Sequence, residues 1–426
     1  MILVGLSFIS LLLMGLPIAF VLGYAGYFHL VSIGNPIFFS IIPQRLFSGV
    51  NQYSLMAIPF FILAGEVMSK GKIIVVLIDL ARECIGYLRG GLAYTGSIVA
   101  MFLSAILGSA NAVAAILSSL LVPEMVKDGY DADFSAALVA SSSIIGPIIP
   151  PSVTFVLYGV LSGTSIGGLF LAGILPGILL GVTNMVMSYY YSVKRDYPKC
   201  RERIEIKVLL RCFIKAFPAL LIPLVIMGGI MGGVFTPTES GAIAVFIAFI
   251  CGFFIYRTLK ISDIPDIFLK TGLLSSGIML IVAMGNILGW SLAIDNVPQL
   301  ISKTIFGIST NPTLVMLMIL IFLLLIGMVM EAFAVMVIFV PIFAPLAAQA
   351  GIDPLHFGLV FSVAISVALI TPPVGMCLFV TSTVTKIPLS KLNKAIIPFA
   401  VANSITTFVL AFAPGISLII PNFFMK

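Results

Sequence analysis

Two short segments combine residue types that seldom share an apolar stretch of chain. One is Ser141–Ser142–Ser143–Ile144–Ile145–Gly146–Pro147–Ile148–Ile149–Pro150–Pro151–Ser152, and the other is Ala368–Leu369–Ile370–Thr371–Pro372–Pro373–Val374–Gly375. Proline has no amide donor and disfavours helix in the residue before it, so a helix passing through either segment must break. Each break frees carbonyl oxygens from their intrahelical partners, which in hydrocarbon costs several kcal/mol per group unless something else satisfies them. A hard cation such as sodium prefers oxygen ligands and can do so.

Each break has a companion upstream. Leu107–Gly108–Ser109–Ala110–Asn111–Ala112 and Gly327–Met328–Val329–Met330–Glu331–Ala332 set small and polar residues inside apolar runs. Such a run fits a helical hairpin that enters the membrane and turns back with its polar tip at mid-depth. Two sodium sites are therefore expected. Ser109 and Asn111, with carbonyls around Gly146, Ile149 and Pro151, would form the first. Gly327 and Glu331, with Thr371, Val374 and Gly375, would form the second. The competing reading is that the diprolyl kinks only shape packing, while Ser and Gly permit close helix contact. For one motif alone that reading is the better one; duplication of the motif reverses the preference.

The duplication extends well beyond the breaks. Shifting the chain by 222 positions lays Pro123 on Pro345, Gly129 on Gly351, Asp131 on Asp353, Pro150–Pro151 on Pro372–Pro373, and Pro176 on Pro398. A shift of 220 lays Pro17 on Pro237 and Asn111 on Glu331. The chain reads as two related halves, 1–193 and 208–426, joined by a basic linker at 194–207. The first half holds scaffold helices, an arm helix at 73–89, a hairpin near 95–122 and a broken helix near 134–163. The second holds a hairpin near 313–346 and a broken helix near 355–385. If each half crosses a membrane an odd number of times, the second is inverted relative to the first.

Composition requires the membrane. Charged residues make up 9% of the 426 and apolar residues 61%, against about 25% and 45–50% in soluble proteins. No water-soluble surface can be built from so few charges, whereas about 20 apolar residues cross a bilayer, leaving room for roughly ten to thirteen spans. The net charge of +6 does not point to nucleic acid, because the basic residues sit in loops. About a third of them fall between Lys194 and Lys215, which reads as a cytoplasmic loop. Both termini would then be periplasmic. The apolar N-terminal segment has no basic flank or small-residue cleavage site and reads as a retained span.

Other chemistry is disfavoured. The cysteines Cys84, Cys200, Cys212, Cys251 and Cys377 are scattered without CxxC spacing, and His29 and His356 stand far apart, so neither disulfides nor a transition-metal site is expected. No HExxH, GxSxG or Walker A sequence is present. Without a nucleotide-binding loop, an ion gradient is the remaining source of free energy. Glu66 and Asp295 lie in apolar surroundings and are either functional or interfacial at helix ends. Thr236–Pro237–Thr238–Glu239 reads as a helix start. The polar positions of 73–89 recur at helical spacing, which fits a helix lying in the membrane interface or one packed on the protein itself.

At these residues the chain resembles the large membrane subunit of the tripartite ATP-independent periplasmic (TRAP) transporters. The matching stretches include Pro59–Phe60–Phe61–Ile62–Leu63–Ala64–Gly65–Glu66, Arg89–Gly90–Gly91–Leu92–Ala93, Gly146–Pro147–Ile148–Ile149–Pro150–Pro151–Ser152 and Phe235–Thr236–Pro237–Thr238–Glu239. The resemblance implies an all-α polytopic membrane protein of two inverted repeats, with re-entrant hairpins and discontinuous helices working as an elevator. It implies a bacterial inner-membrane importer coupled to Na+. Its partners would be a small four-helix membrane subunit of the Q type and a periplasmic substrate-binding protein of the P type. The latter would deliver an organic acid such as sialic acid or a C4-dicarboxylate. The acid would bind between the hairpin tips, against Ser109, Ala110, Ser152, Met330 and Pro373. A stand-alone sodium–carboxylate symporter of related architecture is the alternative; an intramembrane enzyme or a channel fits less well.

Overall fold

A computed structural model of the chain describes residues 2–199 and 205–425, and the regular elements among them are helices. The first half contains α1 (Ile2–Leu13), α2 (Ile18–Ile33), α3 (Ile37–Val50), α4 (Ala57–Lys70) and α5 (Ile73–Ile85). It continues through α6 (Gly91–Leu107), α7 (Ala110–Lys127), α8 (Ala132–Ser143), α9 (Val153–Ser162) and α10 (Ile166–Lys194). The second half contains α11 (Ile206–Met231), α12 (Pro237–Ile250), α13 (Ile264–Ile294), α14 (Val297–Ile308) and α15 (Pro312–Gly327). It ends with α16 (Ala332–Gln349), α17 (Pro354–Ala368), α18 (Met376–Thr385), α19 (Leu389–Phe412) and α20 (Pro414–Phe424).

Among the described residues seven helices are long and apolar enough to cross a membrane, or eight if α3 and α4, bent by 56° at Asn51–Gln52, count as one span. The chain is a multi-pass membrane protein. That is fewer than the ten to thirteen spans the sequence has room for, because several apolar stretches are divided into shorter helices. The pieces α6, α8, α9, α15, α17 and α18 have 10–17 residues. At 1.5 Å per residue they rise about 15–26 Å, short of a hydrocarbon layer about 30 Å thick. They pair as hairpins or meet end to end at the breaks.

Two layers result. On one side α2 runs along α13, α4 along α12, and α11 against α12 and α5. On the other, the hairpins α6/α7 and α15/α16 enclose the broken helices α8/α9 and α17/α18, flanked by α10 and α19. The arm helix ends at Ile85, short of Arg89, and buries Ile73, Ile74, Leu77, Ile78 and Leu80 against α6 and α11. Its apolar face is therefore spent on protein. A second amphipathic helix, α14, follows α13 at the equivalent place, and both begin after a left-handed residue, Lys72 or Asn296. Sequence reading missed α14. Thr236 and Glu239 make a capping box at the start of α12, a structural role.

The basic linker is tied to α8 at its first end; its middle, including Cys200, lies outside the described residues. Tyr197 donates from its hydroxyl to the Asp131 carboxylate at 2.7 Å, and Arg195 donates to the same oxygen at 2.6 Å. Those donors hold the Asp131 carboxyl below its usual range, while burial and then the Asp131 bond push Tyr197 up to about 12. A depressed carboxyl stabilises the fold above its unfolded pKa, and that contribution is lost as pH falls through the folded value. Asp131→Asn should cost no more than about 1 kcal/mol at neutral pH. It should also flatten the fall in melting temperature on acidification below about pH 4. Thermal scans of both proteins in detergent from pH 3 to 7 read the difference.

Candidate functional site

In the first half the hairpin tip and the broken helix meet through their backbones. Gly108 ends α6 in the left-handed region at φ 59°. A methyl group there would lie 2.9 Å from the Val153 nitrogen and 3.2 Å from the Pro151 oxygen. Gly146 faces the other flank of the tip, where a methyl group would lie 3.0 Å from the Ser109 carbonyl and from the Ser143 oxygen. The C-terminal ends of α6 and α8 thus converge, and helix C-termini carry partial negative charge. Within the break Gly146 donates to Ser143 O at 2.9 Å, and Ile149 to Ile145 O at 3.1 Å. Among the described hydrogen bonds, the carbonyls of Gly146, Ile148, Ile149, Pro150 and Pro151 accept none. Both diprolyl bonds, Pro150–Pro151 and Pro372–Pro373, are cis.

The second half repeats the arrangement with more internal closure. Gly327, the last residue of α15, lies so near the end of α17 that an added methyl would sit 2.6 Å from the Ala368 β-carbon. Gly375 N–H donates to Met328 O at 3.3 Å, and Cys377 N–H to Leu369 O at 3.1 Å, so the tip and the break are laced together. The Thr371 hydroxyl donates to Val367 O at 2.8 Å, which leaves its oxygen lone pairs facing outward from that bond. The carbonyls of Thr371, Pro372 and Val374 accept no described hydrogen bond. Two convergences of helix ends, each with unpartnered carbonyls, are what a small cation can neutralise.

Several expected ligands take other partners. The Ser109 hydroxyl makes no hydrogen bond among the described residues: Ser109 is the N-cap of α7 without a side-chain capping bond. Asn111 points instead to the other half, its Oδ1 accepting the Cys377 thiol at 3.4 Å. Cys377 also meets the Ser143 hydroxyl, so α18 covers the first break from across the repeat. Glu331 caps α16, accepting from Phe333 N at 2.8 Å and Ala334 N at 3.2 Å. It borders a recess with Pro17 and Ile18 at the start of α2 and Leu280 of α13, and shares no described bond with Thr371. By cap position Glu331 corresponds to Ser109, not to Asn111, so the 222-residue shift holds at the hairpin tips and the 220-residue pairing is corrected.

Among the expected substrate contacts, Ser152 is buried and committed. Its hydroxyl donates to Pro147 O at 2.5 Å and accepts Phe155 N at 3.2 Å, capping α9. Ala110 and Met330 are buried, and Pro373 is exposed beside Asn393, which donates to its carbonyl at 3.5 Å. Glu66 and Asp295 share no described bond with either break, although Gly65 beside Glu66 packs on Leu107 at the end of α6. Glu66 sits in the field of Lys270, Asp266 and Lys70, and Asp295 pairs with His29 at 2.9 Å. Behind α8, Ser141 donates to Asn184 Oδ1 at 2.6 Å and Asn403 donates to Ser141 at 3.0 Å, all three fully buried. That cluster pins α8 to α10 and α19. Sequence reading missed it, along with Cys377 and the Met328 carbonyl, because each acts through a contact across more than 40 residues.

The family model described as tripartite ATP-independent periplasmic transporter, DctM component, matches residues 6–416. The isethionate TRAP transporter permease protein DctMQ of Oleidesulfovibrio alaskensis is 38% identical over 96% of this chain, which spans only 65% of that longer protein. The C4-dicarboxylate TRAP transporter large permease protein DctM of Pseudomonas aeruginosa is 37% identical over 89% of this chain and 88% of its own. The sialic acid TRAP transporter large permease protein SiaM of Vibrio cholerae is 35% identical over 98% of each chain. These relatives are permeases, not enzymes. In fold, the chain is similar to the YdaH transporter of Alcanivorax borkumensis, with a TM-score of 0.64 over 88% of each chain at 13% identity.

Proposed function

The chain belongs to the DctM component family of tripartite ATP-independent periplasmic transporters, and from that premise we propose that it is the large permease subunit of a sodium-coupled importer of organic acids. The observation that carries the sodium reading is the paired convergence of helix C-termini, α6 with α8 and α15 with α17, around carbonyls that accept no hydrogen bond. One ion in each half would neutralise them. Ser109 with the Gly146, Ile149 and Pro151 carbonyls would hold the first. Thr371 with the Val374 carbonyl, beside Gly327 and Gly375, would hold the second.

The transported acid would sit between the tips, where the N-termini of α7 and α18 meet at Asn111 and Cys377 and favour an anion near the two cations. Because each site is assembled from a hairpin and a broken helix packed on each other, the four would move as one body past α2, α12 and α13, as an elevator. The partners would be a small membrane subunit and a periplasmic binding protein that delivers the acid. In a bacterial inner membrane the basic linker would face the cytoplasm and both termini the periplasm, which makes the second half inverted. Substrate candidates are the acids in the relatives' names: sialic acid, C4-dicarboxylates, isethionate and 2,3-diketo-L-gulonate. In proteoliposomes bearing both partner proteins, uptake of the cognate labelled acid should fall to background when potassium replaces external sodium. Undiminished uptake would refute the coupling.

A further inference from the structure

A cleft of about 260 Å³ separates α3 and α13 from α9 and α16, lined among others by Ser48, Gln52, Asn286, Leu161 and Pro341. A second, of about 290 Å³, adjoins it through Leu161 and Pro341 and extends to Tyr158, Ser162 and Thr164. Neither lining contains a charged residue. Both lie at the end of α10 remote from Lys194, some 43 Å along a helix of 29 residues from the basic linker.

Arg45 stands at the rim of the first cleft. It lies one turn before the lining residues Ser48 and Gly49, and its guanidinium carbon is 5.2 Å from the ring of Trp290, which follows the lining residue Gly289. It is half-buried in an apolar helix and makes no ion pair among the described residues. An un-neutralised guanidinium in such surroundings is costly and marks a functional position. The backbone beneath it is fixed. Asn286 Nδ2 donates to Arg45 O at 2.8 Å, the Ser48 hydroxyl donates to the same oxygen at 3.2 Å, and a methyl group on Gly49 would lie 2.9 Å from Asn286 Nδ2. Asn286 lines the cleft, and its Oδ1, an acceptor, takes no described bond.

We propose that this cleft is the entry site at which the transported acid is first held, its anionic group on Arg45 and its neutral polar groups on Asn286 and Gln52. The inference rests on the transport reading above and adds a station distinct from the hairpin tips. Guanidinium binds carboxylate or sulfonate oxygens through a planar fork, and stacking on Trp290 presents that fork in one orientation.

Trp290 is the only tryptophan of the chain, so its emission reports on this site. The full chain in nanodiscs is titrated with N-acetylneuraminate, succinate, 2,3-diketo-L-gulonate and isethionate. At least one should change Trp290 emission saturably. Arg45→Gln should weaken that response by about tenfold or more, and Arg45→Lys by less, because an ammonium keeps the charge without the fork. In proteoliposomes Arg45→Gln should raise KM by a similar factor with a smaller change in maximal rate. The proposal is overturned if none of the four acids moves wild-type emission, or if Arg45→Gln titrates within about twofold of wild type. It is also overturned if the variant only lowers membrane yield at wild-type KM, the result for an arginine that anchors lipid phosphate. Sodium-independent uptake with the Arg45 effect intact would sink the coupling and leave this site standing.

Discussion

Gly146→Ala should lower uptake by about tenfold or more while the protein still inserts and purifies. The added methyl meets only backbone, the Ser109 carbonyl and the Ser143 oxygen at 3.0 Å, so no rotamer change can relieve it. The hairpin tip must move away from the break by a few tenths of an ångström. That opens the distances among the carbonyls proposed to hold the first ion. Gly108→Ala should act in the same direction with a further cost of about 1–2 kcal/mol, because Gly108 is left-handed at φ 59° and its methyl would press on Val153 N. Ala at Gly228, which has open space around it, is the control and should transport normally. Initial uptake rates, normalised to the amount of reconstituted protein, read the effect; wild-type rates for Gly146→Ala would show that close packing of tip and break is irrelevant to transport.

The second large effect is on sodium affinity. Ser109→Ala and Thr371→Ala each remove one hydroxyl oxygen of a proposed ion shell and should raise the sodium concentration for half-maximal uptake by about tenfold, with both changes together raising it more. The two positions differ in what else they lose. The Ser109 hydroxyl makes no capping bond, so its removal should leave the melting temperature unchanged. The Thr371 hydroxyl bonds to Val367 O at 2.8 Å, so its removal should also cost about 1 kcal/mol of stability. Thr371→Ser restores the oxygen and should restore the affinity. A sodium titration of uptake that superimposes on wild type for both alanine variants would remove the hydroxyls from the ion sites. Asn111→Ala tests a different role: its partner is Cys377, so it should disturb the packing of α18 on α7 before it disturbs sodium.

Much of the local architecture was legible in the residues. Three prolines in Pro147–Pro151 and the pair Pro372–Pro373 forbid continuous helix whatever surrounds them, because the missing amide and the fixed φ are properties of the residue itself. Gly108 at a tip and Asp131 and Asp353 before helix starts are likewise local, and the 222-residue register ties them into two halves. The membrane setting follows from the shortage of charge.

What the residues could not say is which faces meet. A helix apolar on all sides has no hydrophobic stripe to mark its buried face, and in hydrocarbon the lipid is as apolar as the neighbouring helix. So the turn of Asn111 toward Cys377 and the cover that α18 places over the first break come from packing between segments more than 200 residues apart. Arg45 shows the same limit most clearly. By sequence it is one basic residue near the end of an apolar run, and only the bend between α3 and α4 and the closeness of α13 bring it beside Trp290 and the cleft. Residue chemistry decided where the helices break; the tertiary fold decided what the broken ends face.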